Sequence, residues 1–144
     1  MEIVRINDLD NAKELLYNHN KEIGRTLTDE ELRNGIDKFL TFGNVLGFIN
    51  NNRIVAMINL YCNNLETLNA YICNLYVLDD YRRKHLGKKL VDSAINIARK
   101  REFKNIYLHV FKNNHAAIKL YESFGFVFTG NTKDDNLEMV LKLR

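Results

Sequence analysis

The sequence predicts a mixed α/β (α+β) fold in one domain, residues 1–144, with its elements in the order βααβββαβαββ. Length and composition favour one domain, because 144 residues with 46% hydrophobic and 27% charged side chains suffice to bury a core. Residues 68–111 read as a strand, a helix and a strand, and a helical crossover of this kind joins parallel strands. The sheet is therefore expected to contain at least one parallel pair.

The first elements are predicted from caps and apolar spacing. Residues 2–6 read as a strand, and Asp8 is placed to cap a helix whose apolar side is formed by Leu9, Ala12, Leu15 and Leu16. Thr28 and Glu31 have the spacing of a capping box. The helix after this box is predicted to bury Leu32, Ile36, Phe39 and Leu40.

The later elements alternate between β-rich runs and amphipathic runs. Strands are predicted at residues 45–49, 53–62, 68–77, 105–111, 126–129 and 137–143. In the third of these, alternation puts Ala70, Ile72, Asn74 and Tyr76 on one face and Tyr71, Cys73, Leu75 and Val77 on the other. Three asparagines separate the first two runs and tolerate the left-handed backbone of a hairpin turn. Helices are predicted from Leu86, with apolar positions at Leu90, Val91, Ala94, Ile97 and Ala98, and over residues 114–123. Gly125 is expected to take a left-handed conformation after the second of them.

Charge and cysteine usage narrow the classes of protein. The net charge of +3 is too small to indicate a nucleic-acid binder. Cys62 and Cys73 stand in strand-like runs without metal-ligand spacing, which predicts neither a zinc site nor a disulfide framework. The N-terminus lacks signal-peptide character, and no run approaches the ~18 apolar residues of a membrane span. We expect a cytoplasmic protein with no metal and no membrane partner.

A basic cluster surrounds the start of the helix predicted from Leu86. Its members are Arg82, Arg83, Lys84, Lys88 and Lys89, and Gly87 lies among them. The first turn of a helix presents unpaired N–H groups, and a glycine there lets an anion approach the backbone. The cluster is therefore interpreted as a pyrophosphate site. Two alternatives are a solvated helix start and a nucleic-acid contact, although the aromatic platform that binds single strands is missing nearby.

Two motifs resemble those of the GNAT superfamily of acetyl-CoA-dependent N-acetyltransferases. LYVLDDYRRKHLGKKLV contains the acyl-CoA motif R/Q-x-x-G-x-G/A at Arg82, His85 and Gly87, with histidine in place of the first glycine. NNHAAIKLYESFGF matches the family's second motif from Asn114 to Phe126. The departure at His85 is compatible with the motif if that residue has ordinary helical dihedrals. The resemblance implies a twisted, mostly antiparallel sheet of six to seven strands, with helices on both faces and a splayed central parallel pair.

The resemblance also implies where acetyl-CoA binds. Its pantetheine is expected to pair with the backbone of Leu75, Tyr76 and Val77. Its pyrophosphate is expected to contact the N–H groups of Arg83, Lys84, His85, Leu86, Gly87 and Lys88, with Arg82 adding charge. Asn114 reads first as a helix N-cap, and the family match adds a contact with the cofactor.

Several residues are candidates for the proton transfers that acetylation requires. Tyr121 matches the family's tyrosine and is the predicted general acid and a predicted cofactor contact, with a core tyrosine as the alternative. His109 is a possible general base, with a hydrogen-bonded histidine on the sheet as its alternative. Cys73 stands where many members carry a glutamate and reads as a small buried side chain. Glu66, Asp79 and a path of ordered waters remain other routes for the proton, and a backbone N–H near Tyr76 or Val77 is the expected oxyanion donor.

The acceptor is predicted to be a small-molecule amine, namely an amino sugar, aminoglycoside or polyamine. Its site is expected to lie between residues 17–27, taken as the connection between the first two helices, and residues 130–136, taken as the connection between the last strands. A peptide acceptor and a catalytically silent acyl-CoA-binding module are the alternatives. The protein is expected to be a monomer or a homodimer.

Overall fold

The protein is described by a computed structural model that covers residues 1–7, 13–22 and 26–144. The described residues form four helices, which are α1 (Lys13–Glu22), α2 (Asp29–Phe42), α3 (Leu86–Lys100) and α4 (His115–Ser123). They also form seven strands, β1 (Val4–Arg5), β2 (Asn44–Asn50), β3 (Arg53–Tyr61), β4 (Asn69–Val77), β5 (Asn105–Phe111), β6 (Val127–Lys133) and β7 (Asn136–Lys142). This order confirms the predicted βααβββαβαββ.

The seven strands form one sheet in the order β1-β2-β3-β4-β5-β7-β6. The β4–β5 pair is parallel, and the other pairs are antiparallel, as predicted. The parallel pairing extends only from Asn69–Tyr71 on β4 to Asn105–Tyr107 on β5. Beyond Tyr71 and Tyr107 the strands are no longer paired, which is the splay that the family resemblance implied.

Helices cover both faces of the sheet. We call the face that carries Asn59, Tyr71 and Cys73 the front face, and the opposite one the back face. The end of α2 lies on the front face, because a Cβ atom at Gly43 would meet the side chain of Asn59. The α3 end lies on the back face, where Arg101 Nη2 donates to Asn44 Oδ1 at 3.0 Å.

Several local signals are confirmed. Thr28 Oγ1 accepts from Glu31 N at 3.1 Å, and the Thr28 N–H donates to Glu31 Oε1 at 3.2 Å, which completes the capping box. Asn51 and Asn52 have φ values of 52° and 60°, so the hairpin turn uses the left-handed region at both positions. Gly125 also has a positive φ, 101°.

Some boundaries and faces differ from the prediction. β1 contains only Val4–Arg5, and the proposed start of the first helix at Asp8, Leu9 and Ala12 lies outside the described residues. Leu40 is 38% exposed, and Ile95 rather than Ile97 is fully buried in α3. The described helices include none long and apolar enough to cross a bilayer.

Both connections assigned to the acceptor site are shorter than predicted. Helix α1 continues through Tyr17 to Glu22, because the polar residues after Leu16 extend the helix rather than ending it. Strands β6 and β7 are joined by Asp134 and Asp135 alone, since cross-strand pairing continues to Lys133 and Asn136.

Candidate active site

A groove of about 590 Å³ lies between the C-terminal part of β4, the start of α3 and the first turns of α4. Every predicted cofactor residue lines it except Lys84 and Tyr121. The lining residues are His19, Leu75, Tyr76, Val77, Tyr81, Arg82, Arg83, His85, Leu86, Gly87, Lys88, Asn114, Ala116, Ala117 and Leu120. The groove is lined by the part of β4 that is no longer paired with β5.

The N-terminus of α3 differs from the prediction at His85. This N-cap residue has φ 62° and ψ 21°, which is the left-handed region and not the ordinary helical conformation expected. Arg83, two residues earlier, also has a positive φ of 64°. Histidine is among the non-glycine residues found more often in this region, which explains how it occupies a glycine position of the motif.

Gly87 leaves space for a ligand at the start of α3. A Cβ atom there would be 3.5 Å from Leu120 Cδ2 and 4.0 Å from Val77 Cγ2, both ordinary van der Waals distances. Packing within the protein therefore does not require a glycine at this position. The missing side chain instead lets a ligand approach the N–H groups of the first helical turn.

Arg82 holds the end of β4 in place. Its Nε donates to the Val77 carbonyl at 2.9 Å, its Nη1 lies 2.7 Å from Asp79 Oδ1, and its guanidinium carbon lies 5.2 Å from the centroid of the Tyr76 ring. These contacts shape the groove wall, and a contact of Arg82 with phosphate stays a prediction. The ammonium of Lys84 lies over the Tyr81 ring, 5.1 Å from its centroid.

A bulge in β4 changes which side chains face the groove. Cys73 pairs with Asn59 and Tyr76 pairs with Met57, so Asn74 and Leu75 together lie opposite Ile58. Asn74 has φ 55°, which accommodates the extra residue. Tyr76 therefore shares the front face with Cys73, whereas simple alternation put them on opposite faces. A bulge also leaves backbone N–H groups of β4 outside the hydrogen-bond ladder with β3, so these groups are available to a ligand.

Asn114 and Tyr121 hold α4 in position. Asn114 Oδ1 accepts from Ala117 N at 3.2 Å, which confirms the N-cap, and the same residue lines the groove. Tyr121 is only 6% exposed and contacts Phe126 edge-on. Burial raises the pKa of the Tyr121 hydroxyl, and the nearby Cys73 raises it further. Tyr121 therefore stays protonated at neutral pH, so in proton transfer it can act only as an acid.

Cys73 lies on the front face, where β4 begins to separate from β5. Burial raises the pKa of its thiol, and the positive charge of Lys38 only partly opposes that rise. A thiol of this kind stays protonated at neutral pH and is a poor base. The structure therefore supports the interpretation of Cys73 as a small apolar side chain.

His109 pairs directly with Glu138 of β7 on the front face. Its Nε2 lies 3.7 Å from Glu138 Oε2, and its side chain is 47% exposed. Glu138 Oε1 accepts from Thr129 Oγ1 at 2.8 Å and from Asn131 Nδ2 at 3.2 Å. These two hydrogen bonds, with a smaller contribution from His109, lower the pKa of Glu138, which is therefore ionised at neutral pH.

Two other base candidates have different surroundings. Asp79 contacts Arg82, as described above, and Glu66 lies in the turn before β4, where its N–H donates to Asn64 Oδ1 at 3.2 Å. Sequence reasoning named His19 as a possible acceptor contact, and it missed Glu138 and the groove residues of α4 after Asn114. The hydrogen-bond partners of Glu138 lie on the neighbouring strand β6, where an irregular pairing that alternation does not predict brings Thr129 and Asn131 to it.

The sequence matches the profile of the acetyltransferase (GNAT) family over residues 11–126. It is 38% identical over 73 residues to the spermine/spermidine N(1)-acetyltransferase of Bacillus subtilis, a match that covers 50% of this chain and 47% of that protein. It is 42% identical over 57 residues to the [ribosomal protein bS18]-alanine N-acetyltransferase of Escherichia coli, covering 40% of this chain and 38% of that protein. The matches thus span less than half the length of either relative.

The fold is similar to that of a putative acetyltransferase from Salmonella typhimurium, solved with its cofactor acetyl-CoA. The TM-score is 0.75 at 21% sequence identity, and the alignment covers 100% of this chain and 94% of that one. At this identity the likeness concerns the fold.

Proposed function

Because the chain belongs to the acetyltransferase (GNAT) family, we propose that it transfers the acetyl group of acetyl-CoA to a primary amine. The observation that carries the proposal is the groove beside the splayed β4, which ends at the N-terminus of α3 with Gly87 and the basic cluster. The β4 backbone along the groove carries polar groups that suit the amides of a pantetheine, and the cations at the start of α3 suit a pyrophosphate.

Acetyl-CoA would supply the acetyl group as a thioester. The backbone of Leu75, Tyr76 and Val77 is proposed to hold its pantetheine as an added strand. The first turn of α3 and the side chains of Arg83 and Lys88 are proposed to hold its phosphates. The Asn114 side chain uses Oδ1 for its own helix, so its Nδ2 is the atom proposed to contact the cofactor.

Proton transfer is proposed to use groups on both sides of the splay. Tyr121 acts as the general acid toward the departing thiolate, since its hydroxyl is protonated at neutral pH; the raised pKa keeps this proton in place but makes the phenol a weaker acid than a free tyrosine. His109 accepts the proton of the attacking amine, directly or through water, since its imidazole is exposed on the front face. A backbone N–H at the β4 bulge stabilises the developing negative charge on oxygen.

The acceptor is proposed to be a small-molecule amine, such as an amino sugar, an aminoglycoside or a polyamine. The Bacillus subtilis relative is named for polyamines and the Escherichia coli relative for a ribosomal protein, so a peptide acceptor is the second candidate. We also propose a cytoplasmic location, to which the free thiols of Cys62 and Cys73 are suited.

Acetyl-CoA titration followed by a free-thiol assay with a panel of amines tests this function. We expect the melting temperature to rise with acetyl-CoA concentration, since a ligand that binds only the native state stabilises it. Replacing Arg83 and Lys88 with alanine should weaken acetyl-CoA binding roughly tenfold for each lost charged contact. Lys100→Ala, at the far end of α3, is the matched control and should leave binding unchanged.

The panel contains diamines, an aminoglycoside and a peptide with a free N-terminus, and thiol release shows which acceptor is used. A stable protein whose melting temperature does not respond to millimolar acetyl-CoA would contradict the proposed function. Stabilisation without thiol release from any acceptor would favour a silent acyl-CoA-binding module.

A further inference from the structure

The front face of the sheet is open over its C-terminal half. Helices α1 and α2 cover this face over β2, β3 and the C-terminal part of β4, where Val55 and Met57 are fully buried and the His19 ring contacts Tyr76. On the first part of β4 and on β5, β6 and β7 the same face carries exposed side chains, with Tyr71 40% and Val127 59% exposed. This open surface begins at Cys73, beside the splay where the proposed reaction takes place.

Strand register arranges the open face into two parallel rows. The aromatic row consists of Tyr61, Tyr71, Tyr107, Val140 and Val127, each paired with the next across neighbouring strands. The polar row lies one step along and consists of Asn59, Cys73, His109 and Glu138, with Thr129 bonded to Glu138. Together they form a track across the strands from the splay to β6.

The far end of the polar row holds a fixed negative charge. In β6, residues Thr129, Gly130 and Asn131 lie opposite Glu138 alone, and Gly130 has φ 94°. This bulge brings the side chains of Thr129 and Asn131 onto one carboxylate oxygen, Glu138 Oε1. Glu138 is also the only acidic residue in the strands from β3 to β7. A carboxylate oriented in this way is suited to a cation, because its second oxygen, Oε2, lies 3.7 Å from His109 Nε2 on the same face and is separate from the oxygen that Thr129 and Asn131 hold.

The aromatic row adds a surface for the body of such a ligand. The rings of Tyr71 and Tyr107 are stacked, with centroids 5.9 Å apart and planes inclined by 29°. Aromatic faces bind both methylene groups and ammonium groups. The cations on this face lie away from Glu138: Lys38 acts on Cys73 at the splay end of the track, and Lys133 and Lys142 lie toward the two ends of the β6 and β7 strands.

We propose that this track binds the acceptor, and that the acceptor is a linear amine with a second cationic group held by Glu138. One amine would lie at the splay beside Cys73, and the second two strands away. Two regular strand spacings amount to about 10 Å, and the splay between β4 and β5 widens the first of them, so the two amines must be separated by several methylene groups. The inference rests on the proposed acetyl transfer. It names the acceptor class, a linear di- or polyamine, and assigns the second cationic group of the acceptor to Glu138.

Kinetics with matched acceptors test the assignment. The probes are 1,8-diaminooctane, 1-aminooctane and a short peptide with a free N-terminus, and the readout is kcat/KM from free CoA release. In the wild-type protein we expect the diamine to be preferred over the monoamine by about tenfold or more. Glu138→Gln should reduce this ratio to near one, because the amide keeps the shape and removes the charge. Effects on chemistry that both amines share cancel in the ratio.

Asp92→Asn on the exposed side of α3 is the matched control and should leave the ratio unchanged. A ratio that Glu138→Gln does not alter, or a preference for the peptide, would overturn the assignment while leaving acetyl transfer intact. A dimer in light scattering that Tyr71→Ser dissociates would overturn it too, since a second copy would then cover the track.

Absence of thiol release from every amine would refute the proposed function instead. In that case calorimetric titration of the CoA-loaded protein with 1,8-diaminooctane still decides the inference. Binding that Glu138→Gln weakens about tenfold supports the site, and equal affinity in both proteins rejects it.

Discussion

Tyr121 packs edge-on against Phe126, with ring centroids 5.6 Å apart and planes inclined by 60°. The contact fixes the ring where α4 meets the start of β6, and burial keeps the hydroxyl protonated. The role of core residue and the role of general acid are therefore compatible in this side chain.

Tyr121→Phe keeps the packing and removes only the proton donor. We expect kcat to fall by about 100-fold, the lower range for loss of a general acid. The free energy of unfolding should change by no more than about 1 kcal/mol, and the dissociation constant of acetyl-CoA should stay within twofold. Steady-state kinetics, urea unfolding and calorimetry measure the three quantities. An unchanged kcat would leave Tyr121 with a packing role alone.

The ionised state of Glu138 predicts a pH dependence of stability. Its pKa is lower in the folded protein than in the unfolded chain, so its stabilising contribution is present at neutral pH and is lost as pH falls through the folded pKa. Urea unfolding between pH 3 and 7 should show the wild-type advantage over Glu138→Gln shrinking toward acidic pH. A difference independent of pH would contradict the lowered pKa.

The left-handed conformation of His85 predicts that glycine is more stable than alanine at this position, which is the reverse of their order inside a helix. Both replacements remove the imidazole, but only alanine retains a Cβ that disfavours φ 62°. We expect His85→Gly to be more stable than His85→Ala by about 1 kcal/mol in urea unfolding. At Lys89, inside α3, the order should reverse by a similar amount. Equal stability of the two His85 variants would argue against strain at this N-cap.

Replacement by alanine is expected to change stability in opposite directions at Gly43, which follows α2, and at Gly35, which lies within α2. A Cβ at Gly43 would clash with Asn59 and would lie 2.8 Å from the Phe39 carbonyl oxygen, so Gly43→Ala should destabilise the fold by about 2 kcal/mol or more. Gly35 lies within α2 with no heavy atom near its would-be Cβ, and Gly35→Ala should stabilise by about 1 kcal/mol. Thermal unfolding measures both, and a tolerated Gly43→Ala would contradict the close contact with β3.

The features that the sequence predicted well depend on short segments. The capping box needs only Thr28 and Glu31, and the hairpin turn needs only Asn51 and Asn52. The apolar spacing of α3 and the two family motifs are also contiguous. The splay followed from the resemblance, because pairing of β4 with β5 stops where the family leaves space for its cofactor.

The failures have a shared cause in long-range register. Alternation along β4 put Tyr76 and Cys73 on opposite faces of the sheet, but the bulge at Asn74 places both on the front face. The predicted helical dihedrals of His85 were wrong because the chain must turn from the 3₁₀ turn at Asp79–Tyr81 into α3. The partners of Glu138 were unpredictable, since the bulge around Gly130 brings two residues to one carboxylate.

By itself the sequence determined the order of the elements, the caps, the basic cluster and the family motifs. Each of these depends on residues that are close together in the sequence. Tertiary structure alone decided which side chains share a face across β3, β4, β5 and β7. A bulge adds one residue to the count in one strand, and the pairing energy of the neighbouring strand determines where that residue goes. The track from Cys73 to Glu138 therefore exists only once the sheet has formed.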